Sequence, residues 1–149
     1  MYGLVSFASR KGIRGAPESE PAGQTIRART GVRGETFAYW YLRRNGYVMI
    51  ARNFTSPGMK GEIDMIGFDG PVLAFVEVKT RCSDDDATAA KPEDAVNDAK
   101  RRNISRIARR FLINTQLSKA LFRFDVIAIE SPSGRRPIVR LHKNAFTMR

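Results

Sequence analysis

Two carboxylates and a lysine stand in otherwise apolar, β-prone runs of this chain. Asp64 closes Gly61-Glu62-Ile63-Asp64, while Glu77 and Lys79 lie within Phe75-Val76-Glu77-Val78-Lys79. Charge in a strand is costly to bury unless it is paired or binds an ion. The turn signal Asp69-Gly70 joins the two runs as a hairpin. Alternation across a strand puts Glu77 and Lys79 on one face, and Glu62, Asp64 and Ile66 on one face of the preceding strand. A register that sets Asp64 beside Glu77 brings two hard oxygen donors to one point. With the Val78 backbone carbonyl they make a partial shell for magnesium or manganese, ions that keep several waters. An ion so held acidifies a bound water and polarises a phosphoryl oxygen. Lys79 would orient or deprotonate that water, or neutralise the phosphate in the transition state. The competing reading is an ion pair between Lys79 and Glu77 or Asp64 at a sheet end, since structural pairs also perturb titration.

The elements that must position these groups are legible in outline. Thr30 is an N-cap candidate for a helix through about Arg44, stopped by Asn45-Gly46. On its projection Ala38, Tyr41 and Leu42 form the inner stripe, Glu35 sits at its margin and Trp40 points away. Strands are expected over Tyr47–Asn53, Glu62–Phe68 and Val72–Lys79, with a Pro57-Gly58 loop between the first two. Ser83–Pro92 reads as an exposed loop and Glu93–Asn114 as a second helix. Phe122–Glu130 and Ile138–His142 read as strands around a Ser131–Arg136 turn. The order predicts an α/β sandwich: one central mixed sheet flanked by helices. Residues 1–28, rich in Gly, Ala, Pro, Ser and Arg without periodicity, read as a flexible basic extension to a domain over 29–149.

Charge narrows the partner. Of the formal +11, residues 1–100 hold fourteen Lys/Arg against thirteen Asp/Glu; residues 101–149 hold twelve against Asp125 and Glu130 alone. Such asymmetry suits a surface that meets nucleic acid, or merely a solvated basic helix face. The single cysteine, Cys82, excludes an internal disulfide and a thiolate zinc cluster, and one histidine, His142, leaves no material for multi-His chemistry. No run approaches a membrane span and residues 1–15 lack an apolar leader core, so a cytoplasmic protein without membrane contact is expected.

The second helix carries Val96, Ile104, Ile107, Ala108, Phe111 and Leu112 on one stripe. Arg102, Arg106 and Arg109 line up on the opposite side, either tracking backbone phosphates or simply solvated. Lys100 is aimed at the sheet, where it either snorkels out or supplies a positive charge beside the carboxylates. Glu35 is either a site carboxylate or a first-turn glutamate favoured by the helix dipole. Glu62 is an outer ligand, a partner for Lys60 or Arg81, or surface. Arg123 and Asp125 share a strand face and read as structural support.

Gly34-Glu35, Gly46-Tyr47, Arg52-Asn53, Gly61-Glu62-Ile63-Asp64, Phe75-Val76-Glu77-Val78-Lys79-Thr80-Arg81 and Arg123-Phe124-Asp125-Val126 occur in that order. The ordered set resembles the UPF0102/YraN family of small bacterial proteins, which are similar to Holliday-junction resolvases and the wider PD-(D/E)XK nuclease superfamily. The resemblance spans roughly Thr30 to His142 and implies a restriction-endonuclease-like sandwich. It also implies Asp64 and Glu77 as metal ligands, Lys79 as the catalytic lysine, and Glu35 as the acidic residue a first helix adds to the site. The expected function is therefore a magnesium- or manganese-dependent endonuclease on DNA, branched or otherwise structured. A non-catalytic nucleic-acid-binding module on the same scaffold is the alternative, and an adaptor for an acidic protein a third. Resolvase-like enzymes often pair, so a homodimer using Trp40 is implied by analogy.

Overall fold

The computed structural model describes residues 26–82, 96–132 and 134–149. Two helices and five strands follow the order α1 (Ile26–Arg44), β1 (Tyr47–Phe54), β2 (Ile63–Asp69), β3 (Val72–Cys82), α2 (Asp98–Asn114), β4 (Phe122–Ser131) and β5 (Ile138–Phe146). The strands form one sheet in the order β1-β2-β3-β4-β5. All neighbours are antiparallel except β3 and β4, which run parallel and are bridged by the crossover containing α2. The mixed α/β sandwich expected from the sequence is present, and it is compatible with a restriction-endonuclease-like architecture.

Each face of the sheet has its own core. Beneath α1 lie Ala38, Leu42, Tyr47, Met65, Ala74, Val76, Ile127 and Ile129. The α2 side gathers Ile63, Ile66, Leu73, Phe75, Ile104, Ile107, Phe111 and Phe124 among others. Phe124 stacks on Phe146 at 4.8 Å, and Phe75 meets Phe111 edge-on at 5.9 Å. Burial of one such ring contributes about 2–3 kcal/mol, so a glycine-sized hole here would loosen the strand that carries Glu77.

Helix boundaries differ from expectation at both starts. α1 begins at Ile26, so Thr30 is an interior residue and not its N-cap. The run Ile26-Arg27-Ala28-Arg29 contains no breaker, and Arg and Ala favour helix more than Thr disfavours it. α2 begins at Asp98, not Glu93: Asn97 is the N-cap, its side chain accepting the Lys100 N–H at 2.9 Å. Val96, expected inside the helix, packs into the core just before it. Residues 93–95, the Ser83–Pro92 loop and residues 1–25 of the expected extension lie outside the described residues. The end of α2 is a Schellman closure with Gln116 at positive φ, Leu117 N–H bonding the Leu112 carbonyl at 2.8 Å. Four strands run longer than expected, most of all β5, which continues past His142 to Phe146.

Candidate active site

β2 and β3 pair from Asp69 with Val72 up to Met65 with Val76, where the ladder ends. One further step in the same register sets Asp64 opposite Glu77, on the face shared with Phe75 and covered by α2. In place of a backbone pair, Asp64 Oδ2 accepts the Val78 N–H at 2.7 Å. A strand residue carries its N–H and C=O on the same edge. The Val78 carbonyl proposed as a ligand therefore faces the side on which Asp64 lies. Both acids are buried, Asp64 to 7% and Glu77 to 5% exposure.

Cations reach this pair unequally. Lys79 Nζ lies 3.1 Å from Glu77 Oε1, and Lys100 Nζ from α2 lies 3.4 Å from the same oxygen. Glu77 Oε2 is buried with no hydrogen-bond partner. The ion pair of the structural reading is thus present, yet half the carboxylate remains unsatisfied. Asp64 is pushed up to about 7, first by burial and then by the charge of Glu77; the Val78 N–H and Lys100 only partly oppose this. A site whose carboxylates repel one another while one oxygen has no donor carries surplus negative charge.

Glu35 approaches from α1. Burial raises its carboxyl above the usual range, and the charges of Glu62 and Glu77 add to the rise; a hydrogen bond from the Asn53 side chain and the charge of Arg52 act against it. Glu35 sits well inside α1, so a first-turn dipole does not explain it. Its position follows from Gly34: a Cβ there would fall 2.0 Å from Thr80 Oγ1 on β3, so only glycine lets the helix come this close. Gly61, which leads into β2, is required by its backbone conformation rather than by a close approach. It has φ +95, whereas a Cβ would meet, at 2.2 Å, only the movable end of the Asn103 side chain of α2. Glu62, half-buried, belongs to the acidic group through its effect on Glu35.

The proposed residues thus divide. Asp64, Glu77, Lys79 and Lys100 meet, with Glu35 and Glu62 as charged neighbours. Among the described residues no three His, Cys, Asp or Glu side chains close into a complete ligand set. The acid pair offers two hard oxygen donors, a chemistry that suits magnesium or manganese better than zinc. Arg102 and Arg106 are exposed on α2. Arg109, expected in the same ridge, donates instead to Met148 Sδ at 3.1 Å and to the Arg149 carbonyl at 3.3 Å. The roles of Arg52 and Asn53 were not foreseen from their types. Asn53 sits at φ 47 at the end of β1, a conformation asparagine tolerates, and this strand-end asparagine was the available signal.

Residues 34–129 match the model of the Uncharacterised protein family UPF0102. The chain belongs to the UPF0102 family. A UPF0102 protein of Koribacter versatilis is 42% identical over 122 residues, covering 80% of each chain. One from Geobacter metallireducens is 41% identical over 118 residues, covering 79% of this chain and 92% of the relative. One from Symbiobacterium thermophilum is 42% identical, covering 79% and 96%. The UPF0102 match takes in Gly34, Glu35, Asp64, Glu77, Lys79 and Lys100 together, every residue of the acidic site and the glycine that sets α1 against it. No helix among the described residues is long and apolar enough to cross a membrane.

Proposed function

We propose that this chain is a metal-dependent endonuclease that hydrolyses phosphodiester bonds in DNA, with branched or otherwise structured DNA as its substrate. The observation that carries the reading is the under-satisfied buried pair, Glu77 with a partnerless oxygen beside an Asp64 held up near 7. Structural ion pairs do not leave such a surplus, whereas a dication would remove it. Asp64 and Glu77 would hold magnesium or manganese, with the Val78 carbonyl completing the protein's share. Such an ion supplies Lewis-acid stabilisation of the phosphoryl charge and a more acidic water.

Lys79 reaches solvent while touching Glu77, so its ammonium can orient the attacking water or contact a non-bridging phosphate oxygen. Lys100 offsets the same carboxylate from the α2 side and lowers the cost of keeping Asp64 ionised. Glu35, hydrogen-bonded by Asn53, stands as an outer carboxylate able to hold a water of the ion. Arg102 and Arg106 present cations for backbone phosphates on the exposed side of α2, which positions a duplex without reading its sequence.

The Lys79–Glu77 contact favours one second reading, a nucleic-acid-binding module that uses the scaffold without cleavage. Incubation with labelled four-way junction, flap, linear and single-stranded DNA in manganese separates the two. Cleavage is expected to fall by roughly a hundred- to ten-thousand-fold in Lys79→Ala, and to vanish in Asp64→Asn, with DNA binding kept by both. Salt-sensitive binding with no product on any substrate would establish the module instead.

A further inference from the structure

The outer side of α1 carries a feature that phosphate hydrolysis does not use. Arg33, Phe37, Trp40 and Arg44 recur at helical spacing and are all exposed, Phe37 to 41% and Trp40 to 51%. Exposed aromatics of this size on a helix ridge are uncommon, and these are interleaved with guanidinium groups. The Trp40 ring is also held in place. Tyr39 meets it edge-on at 5.3 Å and 85°, and Arg43 lies 5.2 Å from its centroid. Tyr39 is in turn flanked by Arg43 at 5.7 Å and Arg52 at 4.8 Å.

The platform faces away from the acidic site and is linked to it through Tyr39, which props the Trp40 ring. Tyr39 lies one turn after Glu35 on the same helix, and Arg52 acts on both of them. We propose that the Phe37–Trp40 ridge, with Arg33, Arg43 and Arg44 beside it, is a stacking platform for unpaired bases of a nucleic-acid strand. Flat apolar rings accept any base face, the guanidinium groups offset the phosphates, and pre-set rings lose little freedom on binding. A second copy of this chain is a poorer occupant, because a self-complementary face would bring these arginines against their own kind. The inference rests on the nucleic-acid reading above and deepens it: a strand held here would be one with unstacked bases, as at a branch point or gap.

Trp40 is the sole tryptophan, so its emission reports on this surface alone. The full chain in excess chelator, where cleavage is blocked, is titrated with oligothymidylate and with a blunt duplex of equal length. Saturable quenching by oligothymidylate is expected. Trp40→Ala should weaken that strand roughly tenfold, Trp40→Phe should restore most of the loss, and duplex affinity should stay within about twofold in both variants. Tight strand binding with unchanged emission, or an equal loss for strand and duplex, would overturn the platform and leave the endonuclease reading standing. Sedimentation showing a dimer that Trp40→Ala dissolves and oligothymidylate leaves intact would also overturn it, assigning the ridge to self-association. Absence of binding to every DNA would defeat both readings together.

Discussion

Two clusters of buried charge occupy opposite faces of the sheet, and their difference is instructive. Under α1, Asp125 is fully buried and accepts from Arg123 Nε at 2.8 Å, from the Tyr47 hydroxyl at 3.0 Å and from the Asn144 N–H at 2.9 Å. Arg123 also donates to Asp69 at 2.6 Å, and Lys143 reaches the same Asp69 oxygen at 2.7 Å. Two carboxylates thus meet two cations. Hydrogen bonds from Lys143 and Arg123 hold Asp69 below the usual range, while burial and then Asp125 raise the Tyr47 hydroxyl. Under α2, Asp64 and Glu77 lie in similar depth with Glu35 and Glu62 beside them, two lysines share one oxygen, and another oxygen has no donor. The first cluster is complete as it stands. The second has charge to spare, which is what a site needs to attract a cation.

The largest test of this contrast is on stability. Asp125→Ala should cost about 3–5 kcal/mol in urea unfolding, because it removes the buried carboxylate of the Arg123 pair and leaves the Tyr47 hydroxyl and the Asn144 N–H without their acceptor. Glu77→Gln should change stability by less than about 1 kcal/mol, since its lysines reach solvent and can rehydrate. Equal costs at the two positions would erase the distinction.

A smaller effect carries a sign. The Asp64 carboxyl stands near 7 in the folded chain against 3.8 as its ordinary value. Between those values the folded state binds more protons than the unfolded, so stability falls as pH rises through the window. Asp64→Asn keeps an acceptor for the Val78 N–H and escapes this loss. It should be more stable than the native chain by on the order of 2 kcal/mol at pH 8 and show no gain near pH 3.5. A destabilised variant at pH 8 would mean that Asp64 is a satisfied structural carboxylate after all.

The smallest effect concerns Glu35. Asn53→Gly suits the positive φ at that position but removes the hydrogen bond that favours the charged carboxylate. Glu35 should then titrate higher still, with stability changed by about 0.5 kcal/mol or less. Carboxyl chemical shifts followed against pH measure this directly, and an unmoved Glu35 would remove Asn53 from the site.

Much of this arrangement was legible in the residues. Alternation along Phe75–Lys79 and the Asp69-Gly70 turn put Asp64 and Glu77 on adjacent strands that one register would bring together, and the projection of α2 aimed Lys100 at the sheet. Those signals are local and periodic. The helix starts were less legible, because α1 runs straight through Thr30, a competent cap, while Asn97 caps α2 inside a stretch whose pattern read as already helical. Arg109 was grouped with Arg102 and Arg106 by spacing, and nothing in the sequence announced that Met148 and Arg149 would fold back onto it. The completeness of the Arg123–Asp125 cluster was equally hidden, since Tyr47, Asp69, Lys143 and Asn144 come from three other strands. Contacts between distant segments, unlike periodicity, leave no mark on a single sequence.

Crystals soaked in manganese chloride at pH 8 put the central idea to its most direct trial, through the anomalous signal of the metal. A peak bridging the Asp64 and Glu77 oxygens, lost in Asp64→Asn, is the predicted result. Well-ordered side chains with no peak between them at millimolar manganese, or a peak only at other acids, would contradict it.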